Sequence, residues 1–184
     1  MGKQYKALMQ KDIDFIKQQK LFYMASASGK EVNLSPKGYD SIRVLDKHTL
    51  LYLDFPGSSN RTYRDAMAAG EFTLVFNAFT GQANITRLFC KAEPIEKNDE
   101  RFEGYLSHFT VERTHIRQLF LFNIYAVETS CGMAIPYMKY EKERKSLKNW
   151  AKNMAEEGRL STYIDEHVEP VSLENLDIIK DTLL

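Results

Sequence analysis

The spacing of apolar residues changes several times along the chain, and each change predicts an element. Met9, Ile13 and Ile16 fall on one helical face and Asp12 suits a helix start, so a helix is expected over 12–20. From residue 21 the pattern becomes short apolar runs broken by turn residues. Runs at 21–28, 31–35, 42–45 and 50–55 predict four strands, with Gly29-Lys30 and Asp46-Lys47-His48 as turns between neighbours. Pro56-Gly57-Ser58-Ser59-Asn60 interrupts this, and residues 61–69 read as a helix stopped by Gly70. Strands are expected at 72–79 and 85–95, parted by Gly81-Gln82. Phe102, Tyr105, Leu106 and Phe109 form one stripe of a further helix, opened by Asn98 or Asp99. Residues 119–127 are apolar on both alternations, which predicts a strand buried on both faces, inside a barrel or against a second subunit. Leu147, Trp150, Ala151 and Met154 define an amphipathic helix over about 141–156, which Gly158 ends or kinks.

The strands follow one another as hairpins and not as βαβα repeats. That predicts a mainly β fold with flanking helices: an antiparallel sheet of six or seven strands, most economically closed as a small barrel. The 184 residues fit one domain of roughly 100–200 residues. The domain is expected to span 1–158, followed by a short helical tail over 159–184.

Charge narrows the partners. The 25 basic and 25 acidic residues cancel, whereas a nonspecific nucleic-acid binder needs a basic excess, so no nucleic-acid partner is expected. The N-terminus lacks an apolar leader, and no run approaches the roughly 20 residues of a membrane helix. Cys90 and Cys131 are not in a CxxC arrangement. These features predict a cytoplasmic protein with free thiols and no membrane partner. His48, His108, His115 and His167 are scattered without ligand spacing, so no metal is expected.

Three segments are candidates for chemistry. In Val32-Asn33-Leu34-Ser35-Pro36-Lys37-Gly38, the polar residues Asn33, Ser35 and Lys37 alternate and would project to one side of an extended chain. An amide, a hydroxyl and an ammonium on one side suit a phosphate or an anionic ring edge; a solvated edge strand gives the same pattern. In the segment 57–64, a Gly-Ser loop opens a helix whose free N–H groups attract phosphate, with Arg61 or Arg64 able to add a charge-assisted contact. A capped surface helix with solvated arginines fits equally well. Thr129-Ser130-Cys131-Gly132 places small residues at the end of the most apolar strand, where a flat ring could approach the backbone. The plainer reading is a small buried cysteine at a strand end. Arg87 lies mid-strand, as an ion-pair member or a ligand contact.

The order of these segments resembles the pyridoxamine 5′-phosphate oxidase-like family of FMN-binding split barrels, and is most similar to its bacterial branch known only as oxidase-related. The likeness runs through Val32 to Gly38, Arg43 to Asp46, Tyr52 to Asp54, Gly57-Ser58, Arg87-Leu88, Thr129 to Gly132 with Pro136, and Glu143, Arg144, Leu147, Trp150 and Ala151. It covers roughly residues 15–157, most of the chain by the domain-length yardstick. The resemblance implies a homodimer with FMN in a groove between subunits. Position by position, it implies Ser35 and Lys37 beside the flavin, Leu53 and Asp54 also meeting it, Asn60, Arg61 and Thr62 at the phosphate, and Ser130, Cys131 and Gly132 near the ring. The chain departs from the oxidase proper at Thr62, where that enzyme has a basic residue. It also lacks a counterpart of the C-terminal Trp and Arg elements that hold pyridoxal phosphate, so the pyridoxine substrate is not implied. The resemblance leaves three functional readings: an FMN-dependent oxidoreductase acting on an unknown small molecule, a non-catalytic or stress-associated flavin-binding dimer, and a cofactor-free structural dimer.

Overall fold

The computed structural model describes residues 2–29 and 31–168. Eight strands form one sheet: β1 (Lys3–Tyr5), β2 (Phe22–Ala27), β3 (Val32–Lys37), β4 (Ile42–Val44), β5 (Thr49–Asp54), β6 (Glu71–Asn77), β7 (Ile85–Ile95) and β8 (Gln118–Ser130). The helices are α1 (Gln10–Gln18), α2 (Arg61–Met67), α3 (Phe102–Leu106), α4 (Ser146–Glu156) and α5 (Leu160–Glu166). The sheet runs β3-β2-β6-β7-β8-β5-β4, with β1 added to β8, and every pair is antiparallel. It curls into a half-barrel whose free edges are β3 and β4. The eighth strand, β1, is absent from the sequence expectation because Lys-Gln-Tyr carries no apolar alternation; its pairing with β8 creates it.

Alternation along the strands builds two cores. Leu50, Tyr52, Phe120 and Phe122 face the concave side with Phe22, Phe72 and Phe76, and Leu8 and Ile16 plug that side from the chain start and α1. Phe22 stacks on Phe76 at 5.2 Å and meets Tyr52 edge-on at 5.9 Å. Leu51, Leu53, Leu119 and Leu121 point the opposite way, into a second core with Phe102, Leu106, Phe109 and Ile116. The double-sided apolar run of β8 is therefore covered within one chain, by the barrel interior on one face and by α3 and its flanks on the other. Past residue 122 only one face stays covered: Ile124 and Val127 are buried in the first core, whereas Tyr125 is half exposed and is the extra residue of a bulge opposite Phe89/Cys90.

Several helix ends differ from expectation. Helix α1 begins at Gln10 with Met9 at its cap position, and Asp12 lies inside its first turn, accepting from the Met9 N–H at 2.8 Å. Helix α3 has Arg101, and neither Asn98 nor Asp99, at its cap position. After α2, Ala69 and not Gly70 takes the left-handed conformation, at φ 52°. Gly70 is required by crowding: a Cβ there would lie 2.5 Å from the Ala27 carbonyl oxygen and 2.7 Å from that of Asp65. Helix α4 starts at Ser146, not near 141. The Tyr39 hydroxyl donates to the Arg144 carbonyl at 2.8 Å, occupying an acceptor that a longer helix would use itself. Of the tail, α5 packs on α4 through Tyr163 and Trp150, 4.9 Å between ring centres; residues 169–184 lie outside the described residues. No helix among the described residues is long and apolar enough to cross a membrane.

Candidate functional site

Strand β3 has inverted polarity. Val32 and Leu34 are 71% and 64% exposed, while Asn33, Ser35 and Lys37 turn to the half-buried side. The polar side chains are thus brought against β2, β5 and the loop before α2. Ser35 donates to Asn33 Oδ1 at 3.4 Å, and the Asn33 amide donates to Ser26 Oγ at 3.2 Å. Ser26 and Ser28 both donate to the buried Asp65 of α2 at 2.6 Å. Burial pushes the Asp65 carboxyl up, but the two hydroxyls and Arg64 outweigh it and hold it below the ordinary carboxylate range.

The sign of the consequence follows from linkage. A depressed folded-state value means that Asp65 stabilises the fold fully above the ordinary carboxylate value, near pH 4, and loses that contribution as pH falls through the folded value. Asp65→Asn should flatten the acid limb of a stability-versus-pH curve measured by chemical denaturation. An unchanged limb would remove Asp65 from this role.

A cavity of about 280 Å³ opens where the ends of β3 and β5 meet the loop 56–59. Ser35, Lys37, Tyr52, Asp54, Ser59 and Arg117 contribute its polar wall. Arg117 precedes β8 and is held on two sides: its Nε donates to Asp54 Oδ2 at 2.9 Å and its Nη1 to the Ser59 carbonyl at 3.0 Å. Gln118 Nε2 adds bonds to Asp54 Oδ2 and Asn60 Oδ1, both at 3.0 Å, and Tyr52 donates to Asp54 Oδ1 at 3.3 Å. Asp54 thereby accepts three hydrogen bonds and acts as the anchor of the Arg117 guanidinium. Lys37 Nζ lies 5.7 Å from the Tyr52 ring centre. Burial pushes its ammonium below the ordinary lysine value, Asp54 opposes that, and Arg117 adds to it. With two cations, one engaged carboxylate and several hydroxyls, the cavity is built for an anionic group.

The sequence-derived residues fall into four places. Ser35, Lys37 and Asp54 share this cavity. Leu53 does not: neighbouring residues of a strand face opposite ways, and its side chain lies in the second core. Asn60 and Thr62 are buried at the start of α2, Asn60 bound to Gln118. Arg61 pairs with Glu31 at 2.9 Å, as does Arg64 at 2.6 Å. Ser130, Cys131 and Gly132 lie at the far end of β8 beside Ile85 and Asn84, and none of them lines the cavity. Ser130 accepts a hydrogen bond from Arg87, which also pairs with Glu128 at 3.2 Å, so Arg87 is an ion-pair member. Cys131 is exposed, not buried as its plainer reading expects. Arg117 and Tyr52 were missed. A lone arginine before an apolar strand reads as solvated, and only the β5–β8 register, Asp54 opposite Gln118, brings it to the site.

No protein-family model matches the chain. Over 139 residues it is 33% identical to the pyridoxamine 5′-phosphate oxidase family protein ustO of Aspergillus flavus, an alignment covering 73% of this chain and 56% of that one. The chain belongs to the pyridoxamine 5′-phosphate oxidase-like family. It spans little more than half the length of that fungal relative. Among solved structures, a variant of HupZ from Group A Streptococcus superposes with a TM-score of 0.54 at 16% identity, covering 66% of this chain and 98% of that one. A Lactobacillus delbrueckii protein whose name places it with pyridoxamine 5′-phosphate oxidases gives 0.53 at 22% identity, covering 67% and 98%. These likenesses show the split-barrel fold of the oxidase-like family.

Proposed function

We propose that the chain is an FMN-binding flavoprotein whose cofactor presents an anionic group to the cavity between β3, β5 and the loop 56–59. The observation that carries this is the convergence of Lys37 and Arg117 on one hydroxyl-lined recess beside a helix start. Ser35, Lys37 and Arg117 would hold the anionic groups, and Arg61 would contribute to phosphate binding from α2. Membership of the oxidase-like family supports a flavin. A bound flavin would supply hydride or electron transfer, which side chains alone do not provide.

The cavity is smaller than the roughly 300–1,000 Å³ of ordinary ligand pockets, so most of the cofactor would lie outside it. A second copy of the chain would complete the groove, and the exposed Val32 and Leu34 on the free edge β3 supply an apolar face for it. The reaction we favour is oxidoreduction of a small molecule. The non-catalytic reading is favoured by one feature: Asp54, the carboxylate of the cavity, is committed to three hydrogen bonds, including the Arg117 ion pair.

The purified protein should be yellow and release FMN on denaturation. A colourless protein that takes up no added FMN would overturn the flavin reading. Lys37→Ala and Arg61→Ala should each weaken FMN binding by about 1.5–3 kcal/mol, the worth of a hydrogen bond to a charged group. Unchanged affinity would remove that residue from the site. Because Lys37 must be protonated to hold an anion, affinity should fall as pH rises through its lowered value. Lys37→Arg should abolish that fall. Stopped-flow mixing with NADH, NADPH and other donors separates the two flavin readings, since reduction supports the enzyme and its absence the binder.

A further inference from the structure

A recess of about 850 Å³ lies on the other side of Tyr39 and Phe55 from the anion cavity. Its walls include Leu53 and Phe55 at the end of β5, Phe109 and Glu112 after α3, Glu143 before α4 and Lys148 in the first turn of α4, with Asp40 and His115 at its margin. Tyr39 stands between them in a conformation that is uncommon for an aromatic residue, φ 64°. It is held there by its hydroxyl bond to Arg144, by an edge-on contact with Phe55 at 5.4 Å, and by Lys148 over its ring at 4.3 Å. Strained positions persist only when their surroundings fix them, and they concentrate at binding sites.

The chemistry of this recess differs from that of its neighbour. Two cations of the chain already sit on its rings, each also bound to a carboxylate. Lys148 lies over Tyr39 and 3.4 Å from Glu143; the Arg43 guanidinium lies 4.5 Å from the Phe109 ring centre and is bidentate to Asp40. An aromatic face backed by a carboxylate is the arrangement that attracts an ammonium with apolar substituents. Lys148 and Glu143 are both about two-fifths exposed, so their pairing is weak and readily exchanged.

We propose that this recess is a binding site for a small organic cation, in which Lys148 occupies the ligand's place until it arrives. The ligand's ammonium would take the Tyr39 face and Glu143, while its apolar substituents would meet Phe55 and Phe109. The site is separate from the flavin reading and does not depend on it.

The test is titration of the full-length protein with benzyltrimethylammonium, followed by NMR of the N-methyl protons. Saturable binding with an upfield ring-current shift is expected. Benzyl alcohol should bind more weakly, and benzenesulfonate should show no saturable binding. Removing the internal competitor with Lys148→Ala, or with Lys148→Gln as a second variant, should tighten binding about threefold or more, and Glu143→Gln should weaken it by a similar factor. Failure of the ammonium to saturate, equal binding of the sulfonate, or indifference to both sets of substitutions would each overturn the proposal.

Discussion

Replacing Asp54 with alanine should lower the unfolding free energy by about 3–5 kcal/mol, the usual result of stripping one partner from a buried ion pair. Asp54 is 2% exposed at the side chain and its partner Arg117 7%. Without the carboxylate, the Arg117 guanidinium keeps the Ser59 carbonyl but has no counter-charge, and Gln118 and Tyr52 each lose an acceptor. Nothing nearby can neutralise the stranded guanidinium, because arginine does not deprotonate in proteins. The size of the loss reflects a charge left unpaired, not the net worth of the pair. Asp54→Leu combined with Arg117→Met should therefore recover much of the stability while abolishing the anion site. Urea denaturation of the two variants decides the point: a loss below about 1 kcal/mol for Asp54→Ala would mean that water already reaches the pair.

That ion pair also explains which parts of the site could be read from the sequence. Ser35 and Lys37 alternate on a short strand, and alternation survives folding because it is a local property of extended chain. Arg117 became visible only through strand pairing that joins residues 63 positions apart. Leu53 was assigned to the flavin together with Asp54 because the resemblance carries positions and not faces. The pleat then sends Leu53 into the second core and Asp54 to the opposite face, into the cavity. Asn60, Arg61 and Thr62 form the helix start that the Gly-Ser loop predicts. Their buried or ion-paired state depends on Gln118 and Glu31, which no local pattern points to. The fold itself was more legible. Turn residues and apolar runs mark seven of the eight strands, and only β1, which owes its existence to its partner strand, leaves no trace.

The apolar run of β8 bears on the dimer differently. On sequence alone its two apolar faces argue for a second subunit, but Leu119 and Leu121 are covered by α3 and its flanks in the same chain. The surface that favours a second copy is instead the outward face of β3. A free edge with exposed Val32 and Leu34 is an invitation to pair, and soluble chains rarely leave one uncovered. In the proposed dimer, Leu34→Lys should shift sedimentation towards monomer and leave the chain folded; a wild type that sediments as a monomer would overturn the proposed dimer.

Phe122→Ala should cost about 3–5 kcal/mol, the range for emptying a buried aromatic site. Phe122 is completely buried on β8, opposite Leu50 on one side and Ala92 on the other. Its ring meets Phe72 edge-on at 5.5 Å, stacks on Phe120 at 6.2 Å and lies 6.5 Å from Tyr52. Aromatic pairs of this kind add roughly 0.5–1.5 kcal/mol beyond the area they bury, so the loss should sit toward the upper end. Leu121→Ala on the opposite face should cost about 2–5 kcal/mol, because it opens a cavity in the second core. Both losses should be independent of protein concentration, since each side chain is covered by its own chain. A loss for Leu121→Ala that shrinks on dilution of both wild type and variant would mean that a second subunit supplies the cover, because association stabilises a fold only by mass action.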